Sequence, residues 1–307
     1  MVDRIWAVVV TYNPSPTELC ALLSALVAQV EHVILVDNAS ASDVHGLVSA
    51  IRSDKIEVIA LVENLGLSAA QNIGLRRAQS GGVDFTILFD QDSIPESRLV
   101  EILCESLHKL QMDGKRVAAV GPDFSAIGNY PFRRFQGIAI RRCPCVSGNE
   151  IVSVDFLISS GCLISMEALS EIGTMNESLF IEYIDVDWGL RAKLAGFELY
   201  GVCSAKMKHS IGDKSMSTLG RTAPIHSPLR HYYLFRNAVW LCRQPNIPIR
   251  WRAAIALNAG IKFVFFMLRV PPRLQRLKMT VLGVKHGFAG KLGRLKNPEF
   301  PFGGHRT

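Results

Sequence analysis

Residues 85–92 read Phe85-Thr86-Ile87-Leu88-Phe89-Asp90-Gln91-Asp92. The run Phe85–Phe89, rich in aromatic and branched side chains, gives way at once to two carboxylates one residue apart. Such an apolar run predicts a buried strand. Alternate side chains of an extended segment point the same way, so Asp90 and Asp92 can face one cleft. Clustered carboxylates repel each other unless a proton or cation is present, and Mg²⁺ and Mn²⁺ favour such oxygen ligands, often shared with substrate phosphates. The competing reading makes the aspartates helix caps. Ser93-Ile94-Pro95-Glu96, however, offers a capping box and an early proline to the helix expected over Pro95–Met112.

Outward from this stretch, strand and helix patterns alternate. Strands are expected at Ile5–Val10, His32–Val36, Lys55–Leu61 and from Val117 to Val120, and helices at Pro16–Val30, Asp43–Arg52 and Leu67–Gln79. This βαβα order predicts an α/β fold with a mainly parallel sheet flanked by helices, whose ligands bind at the carboxyl ends of the strands. From Asp123 to Val152 the pattern weakens into a loop or hairpin region. It returns with an apolar run at Val154–Ser165, helices at Glu167–Ile172 and Val186–Ala195, and a strand at Phe197–Val202. The Gly/Ser/Thr/Lys-rich stretch from His209 to Ser227 reads as a flexible loop, and the chain from Pro228 as helical. The division expected is a catalytic domain over 1–243 and a basic helical region over 244–307.

The 307 residues are 49% hydrophobic and carry a net charge of +7, which suits phosphate-bearing or anionic partners. The excess belongs to the tail: from Arg243 to Arg306 the only carboxylate side chain is Glu299. Seven cysteines with no CxxC pair predict reduced thiols rather than a zinc site. No signal peptide is expected at the N-terminus. Ala253–Leu268 is short of the ~20 residues that span a bilayer and includes Asn258 and Lys262, so it reads as a buried or interfacial helix.

Other polar residues stand where a parallel sheet would bind a ligand. Asp37-Asn38 ends the second strand, with Asx-turn chemistry as the plainer explanation. Gly66 precedes a helix containing Gln71 and Asn72; it permits a diphosphate to approach closely or simply makes a turn. Asp185 and Asp187 form a second acidic cluster, either capping a helix N-terminus or supplying a general base there. His209 follows Lys206 and Lys208, which fits a phosphate-binding strand end; a lone His is more often structural. Neither a Walker loop nor a GxGxxG fingerprint is present.

Taken in order, these segments resemble glycosyltransferase family 2, of GT-A fold, over roughly residues 4 to 243. The resemblance rests on Val9-Val-Thr-Tyr-Asn13-Pro, Val36-Asp-Asn-Ala-Ser40, Glu63-Asn-Leu-Gly66 running on to Asn72, and Leu88-Phe-Asp-Gln-Asp-Ser93. Ser159-Ser-Gly-Cys162, Phe180-Ile-Glu-Tyr-Ile-Asp-Val-Asp-Trp188 and His231-Tyr-Tyr-Leu-Phe-Arg-Asn237 are similar to the bacterial rhamnosyltransferase subset. The resemblance implies nucleotide-sugar contacts from Thr11, Asn13, Asp37, Asn38, Asn64, Gly66, Asn72, Asp90, Gly161 and Trp188. It implies a divalent metal, Mg²⁺ or Mn²⁺, on Asp92 with Asp90 and His209, and Asp185 as catalytic base with Asp187 as runner-up. The Glu that usually precedes that base is Ile184 here, a departure from the family pattern.

The implied reaction is inverting transfer of a sugar, L-rhamnose from dTDP-L-rhamnose in this subset, to a glycan or glycolipid acceptor of O-antigen, lipopolysaccharide or rhamnolipid type. The basic tail then reads as a peripheral attachment to the cytoplasmic face of the inner membrane, or as a helical pair packed on the catalytic domain. Rival readings are a family 2 transferase of another sugar, a sugar nucleotidyltransferase, which would want an N-terminal Gly-rich basic loop, and a basic membrane- or nucleic-acid-binding protein. The last explains the tail but not the ordered carboxylates, so no nucleic-acid partner is expected.

Overall fold

The computed structural model describes residues 3–124, 132–209, 214–218, 221–225 and 227–296; the side chains of 209, 214–218 and 221–225 lie outside the described set. The chain opens with β1 (Ile5–Thr11), α1 (Pro16–Val27), β2 (His32–Asp37), α2 (Val44–Ser49), β3 (Ile56–Ala60), α3 (Leu67–Ser80) and β4 (Phe85–Asp90). Next come β5 (Ser93–Pro95), α4 (Leu99–Met112), β6 (Val117–Asp123), β7 (Arg133–Gln136), β8 (Ala139–Arg142), β9 (Ile151–Val154) and β10 (Leu163–Ser165). The remainder is α5 (Met166–Ile172), α6 (Ile184–Leu194), β11 (Glu198–His209), β12 (Lys214–Thr218), β13 (Arg221–Ile225), α7 (Pro228–Cys242), α8 (Ile249–Arg269) and α9 (Arg273–Ala289).

The main sheet runs β3-β2-β1-β4-β10-β6-β11-β5, with β9 also on β11. The strands from β3 to β4 are parallel, β6 is parallel to β11, and β10 is the antiparallel strand between the two groups. Strand alternation builds two cores. Trp6, Val8, Val10 and Leu88 face α3, α5 and α6, whereas Ala7, Val9, Ile87 and Phe89 face α1, α2 and α4. A strand buried on both faces needs the near-continuous apolar sequence that β1 and β4 have.

Several expectations change. Ser93–Glu96 forms no capping box: Ser93–Pro95 pairs with the end of β11, and α4 starts at Leu99 behind Arg98, which gives no side-chain cap. The Ser93 hydroxyl meets Ser160 instead, at 2.7 Å. Lys214–Thr218 and Arg221–Ile225 pair as an antiparallel hairpin where a flexible loop was expected. Cys145 and Cys203 form a disulfide, contrary to the reading of all thiols as reduced, because β9 pairing with β11 brings together residues 58 apart in sequence. Finally, α8 has 21 residues, long and apolar enough by composition to cross a membrane, with 22% of its apolar window buried.

The C-terminal helices share a core with the sheet domain. Leu234, Leu241, Ala254, Ile255 and Ala259 pack with Phe135, Phe156, Tyr183, Val186 and Leu190. Helix α9 lies close on α7 because Gly283 and Gly287 have no side chains: a Cβ at these positions would stand 2.4 Å from the Tyr232 carbonyl and 2.6 Å from that of Arg236.

Candidate active site

Parallel register brings the carboxyl ends of β1, β2 and β4 together. Thr11 lies opposite Asp37, and Val10 opposite Asp90. Thr11 Oγ1 donates to Asp37 Oδ1 at 2.9 Å, and the Ser40 backbone N–H donates to Asp37 Oδ2 at 3.2 Å. Asn13 ties this edge to the next loop: its N–H donates to Ser40 Oγ at 2.7 Å, and its Oδ1 accepts from Ala41 at 2.8 Å. Asn38 Nδ2 donates to Asn64 Oδ1 at 3.2 Å, while Asn38 Oδ1 accepts from the Leu65 N–H. Thr11, Asn13, Asp37, Asn38 and Asn64 thus form one polar rim.

Four other candidates turn inward and are explained by packing. The side of Gly66 that lacks a Cβ is filled by Phe180, whose ring and carbonyl would lie 2.5 and 2.7 Å from an added Cβ, so packing against Phe180 by itself requires a glycine here. Asn72 is buried and spends its amide on Met175 and Glu177. Gly161 packs against Pro122 with φ +77°. The Trp188 indole is buried in the core and donates to the Gly173 carbonyl at 2.9 Å. Sequence spacing placed these residues near the site but could not show what packs against each of them.

Asp90 and Asp92 are half-buried just beyond the rim. The Asp90 backbone N–H donates to Ser160 Oγ at 3.1 Å, and Gln91 exchanges two hydrogen bonds with the Tyr12 backbone. The donor set fits a hard divalent cation: two carboxylates close in sequence, with the His209 backbone opposite Ser93, one residue from Asp92. The His209 side chain lies outside the described residues, as do those of Lys214 and Arg221. Lys206 is ion-paired to Asp123 at 2.6 Å.

The loop before β10 connects the two acidic clusters. The Gly161 N–H donates to the Leu88 carbonyl at 2.7 Å, and the Leu88 N–H to the Cys162 carbonyl at 3.1 Å, so this loop is clamped to β4. Ser159 and Cys162 also border a small gap reached by Asp185. Asp185 stands in the first turn of α6, where Oδ1 accepts from the Val186 N–H at 2.9 Å. Burial, with a smaller contribution from Glu182, pushes its carboxyl up to about 6. Asp187 is differently placed: Oδ2 binds Arg191 Nε at 2.9 Å, and that guanidinium also donates to the Ile172 and Thr174 carbonyls.

Behind Asp185, Phe180, Glu182 and Tyr183 all have φ between 63° and 68°, a left-handed region uncommon for such residues. The buried pair Arg236 and Asn237 on α7 holds this turn. Asn237 Nδ2 donates to the carbonyls of Leu179, Ile181 and Glu182, and Arg236 Nη2 to that of Leu179 at 2.7 Å.

The polar strand ends, the acidic pair and the acidic helix start are thus joined through β4 and the loop before β10. The profile of glycosyl transferase family 2 matches residues 6–173. The chain belongs to glycosyltransferase family 2. Over 297 residues, 95% of this transferase and 98% of the relative, it is 32% identical to the dTDP-rhamnosyl transferase RfbF of Shigella flexneri. It is 27% identical over 161 residues to the succinoglycan biosynthesis protein ExoO of Rhizobium meliloti (strain 1021), covering 52% of this chain and 44% of that one. Among solved structures, S. aureus TarS 1-349 in complex with UDP-GlcNAc superposes with a TM-score of 0.56 at 16% identity, covering 94% of this chain and 88% of that one. GalNAc-T7 with UDP, GalNAc and Mn²⁺ gives 0.58 at 14% identity, covering 88% of this transferase and 56% of that chain. Both share the fold.

Sequence reasoning passed over Ser160, which joins Asp90 to Ser93, and Glu182, which pairs with Arg230 at 2.6 Å. It also passed over Lys262. The signal there was a single cation inside the apolar run of α8, which was weighed only against a membrane span.

Proposed function

We propose that this transferase moves L-rhamnose from dTDP-L-rhamnose to a hydroxyl of a cell-envelope glycan or glycolipid, with inversion at the anomeric carbon. The observation that carries this is the 32% identity to a dTDP-rhamnosyl transferase along 95% of the chain. The polar rim around Asp37 would receive the nucleoside. Asp92, with Asp90 and His209, would hold a divalent cation, Mg²⁺ or Mn²⁺, whose charge would offset that of the diphosphate.

Asp185 is the proposed base. It takes the proton of the acceptor hydroxyl as the oxygen attacks the anomeric carbon and the bond to the diphosphate breaks, leaving dTDP. A base works best with a pKa near the working pH, and burial moves Asp185 in that direction. Burial raises the Asp187 carboxyl as well, but Arg191 opposes this and occupies its Oδ2. A single displacement turns a β-linked donor into an α-rhamnoside without a covalent enzyme intermediate.

The C-terminal helices support a peripheral membrane location at the cytoplasmic face. Leu257, Ile261, Val264 and Leu268 recur at helical spacing on α8 and are exposed, as are Leu274, Val281 and Phe288 on α9. An exposed apolar stripe with basic neighbours suits an anionic bilayer surface.

The deciding experiment incubates the purified protein with a panel of nucleotide sugars, with and without chelator, and measures release of the nucleoside diphosphate. Metal-dependent turnover of dTDP-L-rhamnose above the other donors is expected. Preference for a different nucleotide sugar would overturn the rhamnose assignment, and chelator-resistant turnover the metal.

A further inference from the structure

A cavity of about 210 Å³ opens beside Asp185, on a side where β1, β2 and β4 contribute nothing; its polar lining is Arg133, Glu182, Tyr183, Asp185, Asn258 and Lys262. It is smaller than the roughly 300–1,000 Å³ of drug-sized sites, which suits a single sugar ring or a charged substituent. One wall comes from the β7–β8 hairpin and one from α8, the latter outside the segment matched by the family profile.

The lining carries two cations, Arg133 and Lys262, and two carboxylates, Glu182 and Asp185, but Glu182 is shared with Arg230 outside it, which leaves a net positive charge. Glu182 is bound by Arg230, at 2.7 Å from Nε and 2.6 Å from Nη2. Lys262 is half-buried and, among the described residues, makes no hydrogen bond or ion pair; it lies 6.0 Å from the Tyr183 ring centroid and feels the charges of Glu182 and Asp185 at longer range, opposed by Arg133 and Arg230. Arg133 is half-buried too, and the charge acting on it is the like charge of Arg142. The Tyr183 hydroxyl is buried without a hydrogen bond of ordinary geometry, and Asn258 is its polar neighbour. Desolvated cations and an unsatisfied hydroxyl around one space are unfavourable unless a ligand completes them.

Building on the rhamnosyltransferase reading, we propose that this cavity is the acceptor subsite and recognises an anionic substituent, phosphate ester or carboxylate, on the acceptor sugar. Arg133 and Lys262 supply the positive charge, and Tyr183 and Asn258 the neutral hydrogen bonds. The acceptor hydroxyl then lies beside Asp185, while the donor occupies the strand-end rim on the other side.

The test titrates the full-length protein with glucose 6-phosphate, glucuronate and neutral methyl glucoside, followed by calorimetry, and repeats this with saturating dTDP. At least one anionic probe should bind about tenfold more tightly than methyl glucoside, the worth of one charge-assisted contact. Which anion binds identifies phosphate or carboxylate as the group read. The preference should fall to near unity in Lys262→Met and Arg133→Gln, and dTDP should not displace the probe. If Arg133→Gln does not fold, Lys262→Met decides alone. Absence of any anionic preference, its survival in Lys262→Met, or displacement by dTDP overturns the proposal. If the preference is present but neither dTDP nor dTDP-L-rhamnose binds, the rhamnosyltransferase reading fails and the anion site stands.

Discussion

The Asn237 side chain donates to the backbone carbonyl of Glu182 at 2.7 Å, one residue before the Tyr183 N-cap of α6 and three before Asp185. A buried amide on α7 thereby fixes the strained turn from which the proposed base projects. The same Nδ2 reaches the Leu179 and Ile181 carbonyls, so its two hydrogens are shared among three backbone acceptors.

Asn237→Ala leaves those carbonyls without this donor in a buried setting. The expected loss is about 2–3 kcal/mol of stability, read as a lower midpoint in denaturant. Rhamnosyl transfer should fall more than donor binding, because the turn that aims Asp185 relaxes. Equal losses in both would point to general unfolding rather than positioning.

Asp185 carries a pH signature. Its carboxyl is raised to about 6, chiefly by burial, so the base form is lost as pH falls through 6. The transfer kcat/KM should drop about tenfold per pH unit below that point. A profile flat down to pH 5 would remove Asp185 from the role.

Asp185→Asn should abolish transfer and stabilise the fold. A carboxyl whose folded pKa lies above its ordinary 3.8 destabilises the native state at neutral pH, where it is charged, and ceases to do so once protonated in both states at low pH. The variant should gain on the order of 1–2 kcal/mol at pH 7 and nothing near pH 3.5. Melting curves at the two pH values check this.

Asp187→Asn should cost stability, although burial raises the Asp187 carboxyl as well, because Asp187 also anchors a guanidinium. It removes the anion that holds Arg191 while that guanidinium still bridges the Ile172 and Thr174 carbonyls. A loss of about 1–3 kcal/mol is expected, discounted from the larger cost of fully buried pairs because Arg191 is 28% exposed. Transfer by the surviving folded fraction should stay measurable. Normal stability with transfer abolished would reassign the base to Asp187.

Membrane attachment is best tested without truncation, since α8 and α9 share a core with α6 and α7, and removing residues 249–307 would expose it. Replacing exposed Leu257, Ile261, Val264 and Leu268 with Gln leaves that core intact. Flotation with vesicles containing anionic lipid should weaken markedly, with the melting temperature little changed. Unaltered flotation would place the attachment elsewhere or remove it.

The sequence by itself determined the sheet and its binding edge. Strands as apolar as β1 and β4 can only be buried on both faces, and their strict βα alternation aligns Thr11, Asp37 and Asp90 at one end. Local pattern was also enough to find α3, α6 and the acidic pair. It misjudged Ser93–Glu96, because the partner of this segment is β11, more than 100 residues later, and that pairing outweighs a local cap. It missed the Cys145–Cys203 bridge for the same reason.

Only the tertiary structure decided which polar residues face the site. Asn72, Gly66, Gly161 and Trp188 have the spacing of ligand contacts, yet their directions are set by long-range packing that uses each of them internally. The separation of Asp185 from Asp187 arises in the same way, since a helix turn presents both while Arg191 and its carbonyl partners claim one. Lys262 reaches the cavity beside Asp185 because α8 folds back over the catalytic domain, a contact that no spacing along the chain encodes.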